Sequence, residues 1–117
     1  MQTNTKAKVF YYLTSNGGNP VREFIDSLSD KQKAKIFKIF RYIEFYGLIS
    51  VLPHIKKVVG TPFWEIRVLG QDNIRILYIT IQNGCPFLLH GFLKKTQKTS
   101  KKELGIAYER LSDWQKR

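Results

Sequence analysis

Apolar positions recur along this chain with two different periods, and each change of period marks a change from extended to helical structure. Met1 to Lys6 are polar, as expected of a frayed end. From Lys8 to Thr14 (KVFYYLT) β-branched and aromatic residues cluster, the composition of a first strand. Val21, Phe24, Ile25 and Leu28 then fall at i, i+3, i+4 and i+7, which predicts a short helix with one buried stripe. Asn19-Pro20 ahead of it supplies an N-cap and a proline at the first helical position, with Glu23 in the positive first turn. A second helix opens at the capping box Ser29/Gln32 and stops at Gly47. Ile36, Phe37, Ile39, Phe40, Ile43 and Tyr46 give it a broad apolar face, and Lys31, Lys33, Lys35, Lys38 and Arg41 fill much of the rest, as on a solvated helix face.

Beyond Gly47 the period shortens. Ser50 to Gly60 reads as a loop or short edge strand holding His54, Lys56 and Lys57. Two strands follow, Phe63 to Leu69 (FWEIRVL) and Ile74 to Ile81 (IRILYITI), joined by Gly70-Gln71-Asp72-Asn73. A third, Phe87 to Leu93 (FLLHGFL), comes after Asn83-Gly84, a strong hairpin signal because both residues tolerate positive φ. Ser100 and Glu103 then form a second capping box, opening a C-terminal helix with Leu104, Ala107, Tyr108, Leu111 and Trp114 on one side. The order β-α-α-β-β-β-α predicts one α+β domain over residues 1–117. Its sheet is antiparallel-dominated, with two N-terminal helices and one C-terminal helix packed on one face.

Charge narrows the function. Twenty Lys and Arg against nine Asp and Glu give +11 and a pI of about 9.9, which points to a polyanionic partner, most often nucleic acid. The alternative is a generally basic surface with no specific ligand. A membrane-surface protein fits less well, because the cations fall in strands and loops as much as on one helical face. A lone Cys85 forbids an internal disulfide and fits a reducing compartment. No apolar run is long enough to span a bilayer, and MQTNTKAK lacks the apolar core of a secretory signal, so a cytoplasmic location is expected.

Strand alternation puts Glu65 and Arg67 on one face and Trp64, Ile66 and Val68 on the other, the natural core face. If the Gly70–Asn73 loop sets Arg67 opposite Arg75, both guanidinium groups share the first face. They could bind phosphate bidentately there, or form a salt bridge with Glu65 on an open sheet face. His54 is the acid/base candidate, with Lys57 three residues on. His90 alternates with Leu88 and Phe92 and reads equally as a satisfied, half-buried side chain or a functional one. The densest basic segment, Lys94, Lys95, Lys98, Lys101 and Lys102, joins the last strand to the last helix and suits phosphate without reading sequence. Two histidines and one cysteine, far apart and among cations, form no metal set, and no Walker, Rossmann or serine-triad signature is present.

The segments TPFWEIRV, NIRILYI and LLHGFLKKTQKTSKKEL closely resemble the RelE/ParE toxin superfamily, specifically its HigB-like branch, over roughly Lys8 to Leu111. The resemblance implies a twisted antiparallel sheet and a ribosome-dependent endoribonuclease that cuts translated mRNA without metal or cofactor. It also implies an antitoxin partner bearing a helix-turn-helix, HigA-like. Arg67 and Arg75 match the cations that face the scissile phosphate. Lys94 and Lys95 stand where relatives place further catalytic groups, and His54 and Lys57 precede Trp64 with the spacing of an active-site pair. Lys56, Lys57, Lys98, Lys101 and Lys102 would then contact RNA. Glu65 departs from the pattern, standing where several relatives carry a catalytic lysine, and the tyrosine that some relatives use after the last strand is missing. The rival readings are a ParE-like toxin that binds a DNA topoisomerase without nuclease chemistry, and a non-catalytic basic RNA-binding module.

Overall fold

A computed structural model of the chain describes residues 7–68, 70, 73–96 and 98–117. The polar stretch 1–6 and parts of the 69–72 and 94–100 loops lie outside the described residues. The elements in order are β1 (Phe10–Tyr11), α1 (Pro20–Asp26), α2 (Asp30–Tyr46), a 3-10 segment (Leu48–His54), β2 (Ile55–Lys57), β3 (Trp64–Arg67), β4 (Ile74–Ile81), β5 (Cys85–Leu93) and α3 (Lys101–Gln115). The helix starts follow local chemistry. Asn19 Oδ1 accepts from the Arg22 amide, and Ser29 and Gln32 exchange both capping-box bonds. Ser100 Oγ accepts from the Glu103 amide, but the Glu103 carboxylate accepts from His90, and the reciprocal bond of the expected capping box is not among those of the described residues. Gly47 ends α2 with φ at 82°, and the Asn83-Gly84 turn has φ of 62° and 70°, the left-handed values that join β4 to β5.

The five strands form one sheet in the order β1-β5-β4-β3-β2. Four of them pair antiparallel, with Arg67 directly opposite Arg75, while β1 runs parallel to β5. The first strand is shorter than the Lys8–Thr14 pattern suggests. Past Tyr11 the backbone makes one more bond to Leu88 and enters a loop closed by Thr14 and Gly18.

The C-terminal helix corrects the expectation that all helices pack on one face. Ile76 and Leu77 are adjacent in β4 and both fully buried, so their side chains leave the sheet on opposite sides. Ile76 joins Val21, Ile25, Ile36 and Ile43 of α1 and α2. Leu77 joins Phe63, Phe87 and Leu89 beneath Ala107 and Leu111 of α3. The physical reason is visible in β4 and β5, which are apolar on both faces over most of their length. Strands of that kind need cover on both sides. At a bulge at Leu77/Tyr78 the partner shifts from His90 to Leu88, which leaves Leu89 unpaired and lets Leu89 and His90 both face α3 while Leu88 faces α1 and α2.

Among the described residues no helix is long and apolar enough to cross a membrane. The approach of α1 to β5 is set by Gly91, where an added Cβ would lie 2.4 Å from Phe24 Cδ2. Gly91→Ala is therefore expected to destabilise the fold by about 1–3 kcal/mol through overpacking, and Phe24→Leu in the same chain to recover part of the loss. Urea denaturation of the single and double variants checks this, and a Gly91→Ala chain as stable as wild type would refute the packing argument.

Candidate functional site

The strand register brings the charged residues together on the α3 side of the sheet, beyond the area that α3 covers. Glu65, Arg67 and Arg75 share that face, since Ile66, Val68, Ile74 and Ile76 occupy the other. Glu65 is 1% exposed. Its Oε1 lies 3.4 Å from Arg75 Nε and 3.7 Å from Lys94 Nζ, and its Oε2 accepts a 2.7 Å hydrogen bond from the Thr99 hydroxyl. Two cations thus pair with one carboxylate, and Arg67 lies beside Arg75 as a third, so the cluster carries a net +2. Arg67 Nε is buried without a hydrogen-bond partner among the described residues, and Arg75 Nε has only the ion pair, not a well-aligned hydrogen bond. Burial, and then the neighbouring Arg67, depress the Arg75 pKa, against the opposing pull of Glu65. Guanidinium groups held this way are short of acceptors, which is the condition for binding an anion. Lys94 adds a nearly buried ammonium to the rim. A pocket bounded by Phe92, Lys94, Lys95, Lys98, Lys102 and Glu103 lies next to it, at the start of α3.

The other expected residues divide. Lys56 faces the same side as Glu65, its register partner, and is exposed, as are Lys95, Lys98, Lys101 and Lys102. Lys57 does not present its ammonium to a ligand. Nζ reaches the carbonyls of Val58, Thr61 and Phe63, so it fastens the loop between β2 and β3. His54 lies apart from the arginine side chains, lining a groove with Lys38, Tyr42, Ser50, Val51 and Val68 on the α2 side. It is joined to the cluster through the main chain: Nδ1 is 3.1 Å from the Arg67 carbonyl. A carbonyl only accepts, so Nδ1 carries the proton and Nε2 keeps its lone pair in the neutral ring.

His90 proves to be a satisfied, buried side chain. Arg110 donates to its Nδ1 at 3.3 Å, so Nε2 carries the hydrogen, which it donates to Glu103 at 2.7 Å. The ring also stacks on Phe92. Arg110 donates to the Leu89 carbonyl as well, so this trio ties α3 to β5. Thr99 and Arg110 escaped the sequence reading, since both act across distances that no local spacing reveals. Cys85 is buried, and its Sγ accepts from the Lys8 amide. No group of three or more His, Cys, Asp or Glu among the described residues could hold a metal ion.

Desolvation lowers the His90 pKa below its ordinary value of 6.5, only partly opposed by Glu103. The unfolded chain therefore binds a proton there more readily than the folded one. The associated stability is complete above about pH 6.5 and falls as pH drops toward the folded-state pKa. Urea midpoints at pH 7.5 and 5.0 should differ more for wild type than for His90→Gln, which cannot titrate. Equal differences would show that His90 does not carry this dependence.

A family model described as phage-derived protein Gp49-like (DUF891) matches residues 23–112, from α1 into α3. No curated protein matches the chain. The match extends over most of the chain and includes β3, β4, β5 and the loop that carries Lys94 and Thr99. The chain belongs to the Gp49-like family, a RelE-like toxin family of type II toxin–antitoxin systems, whose toxins are paired with an antitoxin.

Proposed function

We propose that the protein is a ribosome-dependent endoribonuclease of the HigB-like kind, cutting translated mRNA in the cytoplasm. The observation that carries this reading is the Arg67–Arg75 pair, two facing guanidinium groups with Lys94 beside them and a single carboxylate among the three. In the reaction the RNA 2′-hydroxyl attacks the adjacent phosphorus and the bond to the 5′ oxygen breaks. A 2′,3′-cyclic phosphate and a 5′-hydroxyl result. Arg67 and Arg75 hold the non-bridging oxygens as charge builds on them, in a cluster whose dipoles are already oriented. Lys94 and Lys95 supply charge at the rim. His54 does not take the proton-transfer role, because it opens onto the groove on the α2 side and not beside the arginine side chains, out of hydrogen-bond reach of a phosphate held by that pair. Lys56, Lys98, Lys101 and Lys102 position the RNA backbone. Lys57 takes no part in this scheme, since its ammonium is already engaged by carbonyls.

A topoisomerase-binding toxin of the same fold has no use for clustered phosphate binders. The two readings separate in cells. Brief expression followed by mapping of mRNA 5′ ends should show cuts within translated regions, whereas DNA breaks with intact mRNA would favour the rival.

Arg67 makes the sharpest variant, since its buried Nε has no hydrogen-bond partner among the described residues and it stands close to like-charged Arg75. Arg67→Ala should leave stability unchanged or raised while cleavage of ribosome-bound mRNA falls roughly 10²–10³-fold, the loss typical of one transition-state donor. Cleavage within a few-fold of wild type would remove the arginine pair from the chemistry.

A further inference from the structure

The outer side of α2 carries a second apolar stripe, of which Phe37 leans on the core while Tyr42 and Phe45 stay exposed. Ile36, Ile39, Phe40 and Ile43 fill the core. Positions 34, 37, 38, 41, 42 and 45 follow at i, i+3, i+4, i+7, i+8 and i+11, which places them on the opposite side of the helix. They line one shallow groove with Tyr46. Tyr42 is 44% exposed, Phe45 54% and Tyr46 56%, although a solvated helix face is normally polar. The 3-10 segment after α2 adds two more exposed apolar side chains, Ile49 and Leu52. A contiguous apolar surface of this kind marks an interaction site. Its composition, aromatic residues with an arginine among them, is that of a binding hot spot.

We infer that this surface docks an acidic amphipathic helix of the antitoxin. The stripe is straight and about 16 Å long over eleven residues, a shape matched by a second helix packed ridge into groove. The sign of the partner follows from charge. Five cations of α2 (Lys31, Lys33, Lys35, Lys38 and Arg41) stand against two acids, Asp30 and Glu44, and exposed Lys38 and Arg41 lie within the stripe itself. An acidic partner gains both complementarity and steering there. RNA is the weaker fit, since the arginine cluster faces the other side of the sheet and the stripe has more aromatic surface than charge. The inference rests on the toxin reading only for the identity of the partner.

The test is calorimetric titration of the full chain with the small protein encoded by the neighbouring reading frame, for wild type, Phe45→Ala, Arg41→Glu and Arg67→Ala. Phe45 and Arg41 are exposed, so both variants are expected to fold. Phe45→Ala should weaken binding about 30-fold or more, the loss of an aromatic hot spot. Arg41→Glu should weaken it roughly tenfold and flatten its salt dependence, while Arg67→Ala should bind as wild type does. Wild-type affinity in both α2 variants, or no binding by wild type, overturns the inference. So does gel filtration showing that the chain alone dimerises and that Phe45→Ala makes it monomeric, since the occupant is then a second copy. Loss of ribosome binding by Phe45→Ala would likewise overturn it, in favour of RNA. Messenger cleavage measured on the same variants reports separately on the nuclease reading, so either proposal can fail while the other stands.

Discussion

A buried carboxylate paired with two cations, with a third beside them, sets the geometry of the charged end of this sheet. Glu65 is almost inaccessible, and a charge so placed persists only if it is paired and hydrogen-bonded. Arg75, Lys94 and Thr99 meet that condition, and in doing so they anchor β4 and the loop between β5 and α3 to β3. One negative charge does not neutralise three positive ones. The remaining excess sits beside an Arg67 Nε that has no hydrogen-bond partner among the described residues. Breaking such a pair leaves an uncompensated charge, so the pair is better understood as setting geometry than as adding stability. Glu65 thus holds Arg75 and Lys94 in place instead of adding to their charge.

The sheet makes this possible by being apolar on both faces in its central strands and charged at one end. α1 and α2 cover one face completely enough to bury Ile66, Ile74 and Ile76. α3 covers the other face over Phe63, Leu77 and Leu89, and the chain enters it only after Ser100. The end of the sheet that carries Arg67, Arg75 and Phe92 is left beside a lysine-rich loop. His90, Glu103 and Arg110 hold α3 in its position, so the boundary between core and charged cluster is itself hydrogen-bonded. Function and packing therefore occupy different ends of one surface, and the outer side of α2 remains a third, separate surface.

Local chemistry was legible from residues alone. Asn19-Pro20, the Ser29/Gln32 box, Gly47 and Asn83-Gly84 act over three or four residues, where backbone hydrogen bonding and φ preference decide the outcome, and all do in the structure what their spacing says. Alternation showed which residues of β3 share a face. The Arg67–Arg75 pairing was only a condition on the loop, since a register shifted by two residues would bury Ile66 and Ile76 equally well. The structure has that pairing. The resemblance to RelE-like toxins, carried by the strands and the lysine-rich segment, agrees with the family found.

What spacing could not decide was everything set by long-range packing. Whether α3 joined α1 and α2 or crossed to the other face depended on both sides of β4 and β5 needing cover, a property of the assembled sheet. The parallel pairing of β1 with β5, the diversion of Lys57 to carbonyls, the seating of His54 against the α2 groove and the burial of Glu65 arise in the same way. The sequence by itself determined where elements begin and end and which strand residues share a face, because those depend on short-range geometry. Only the tertiary structure decided which charges lack partners and which surfaces stay uncovered, because these depend on residues that meet only when the chain has folded.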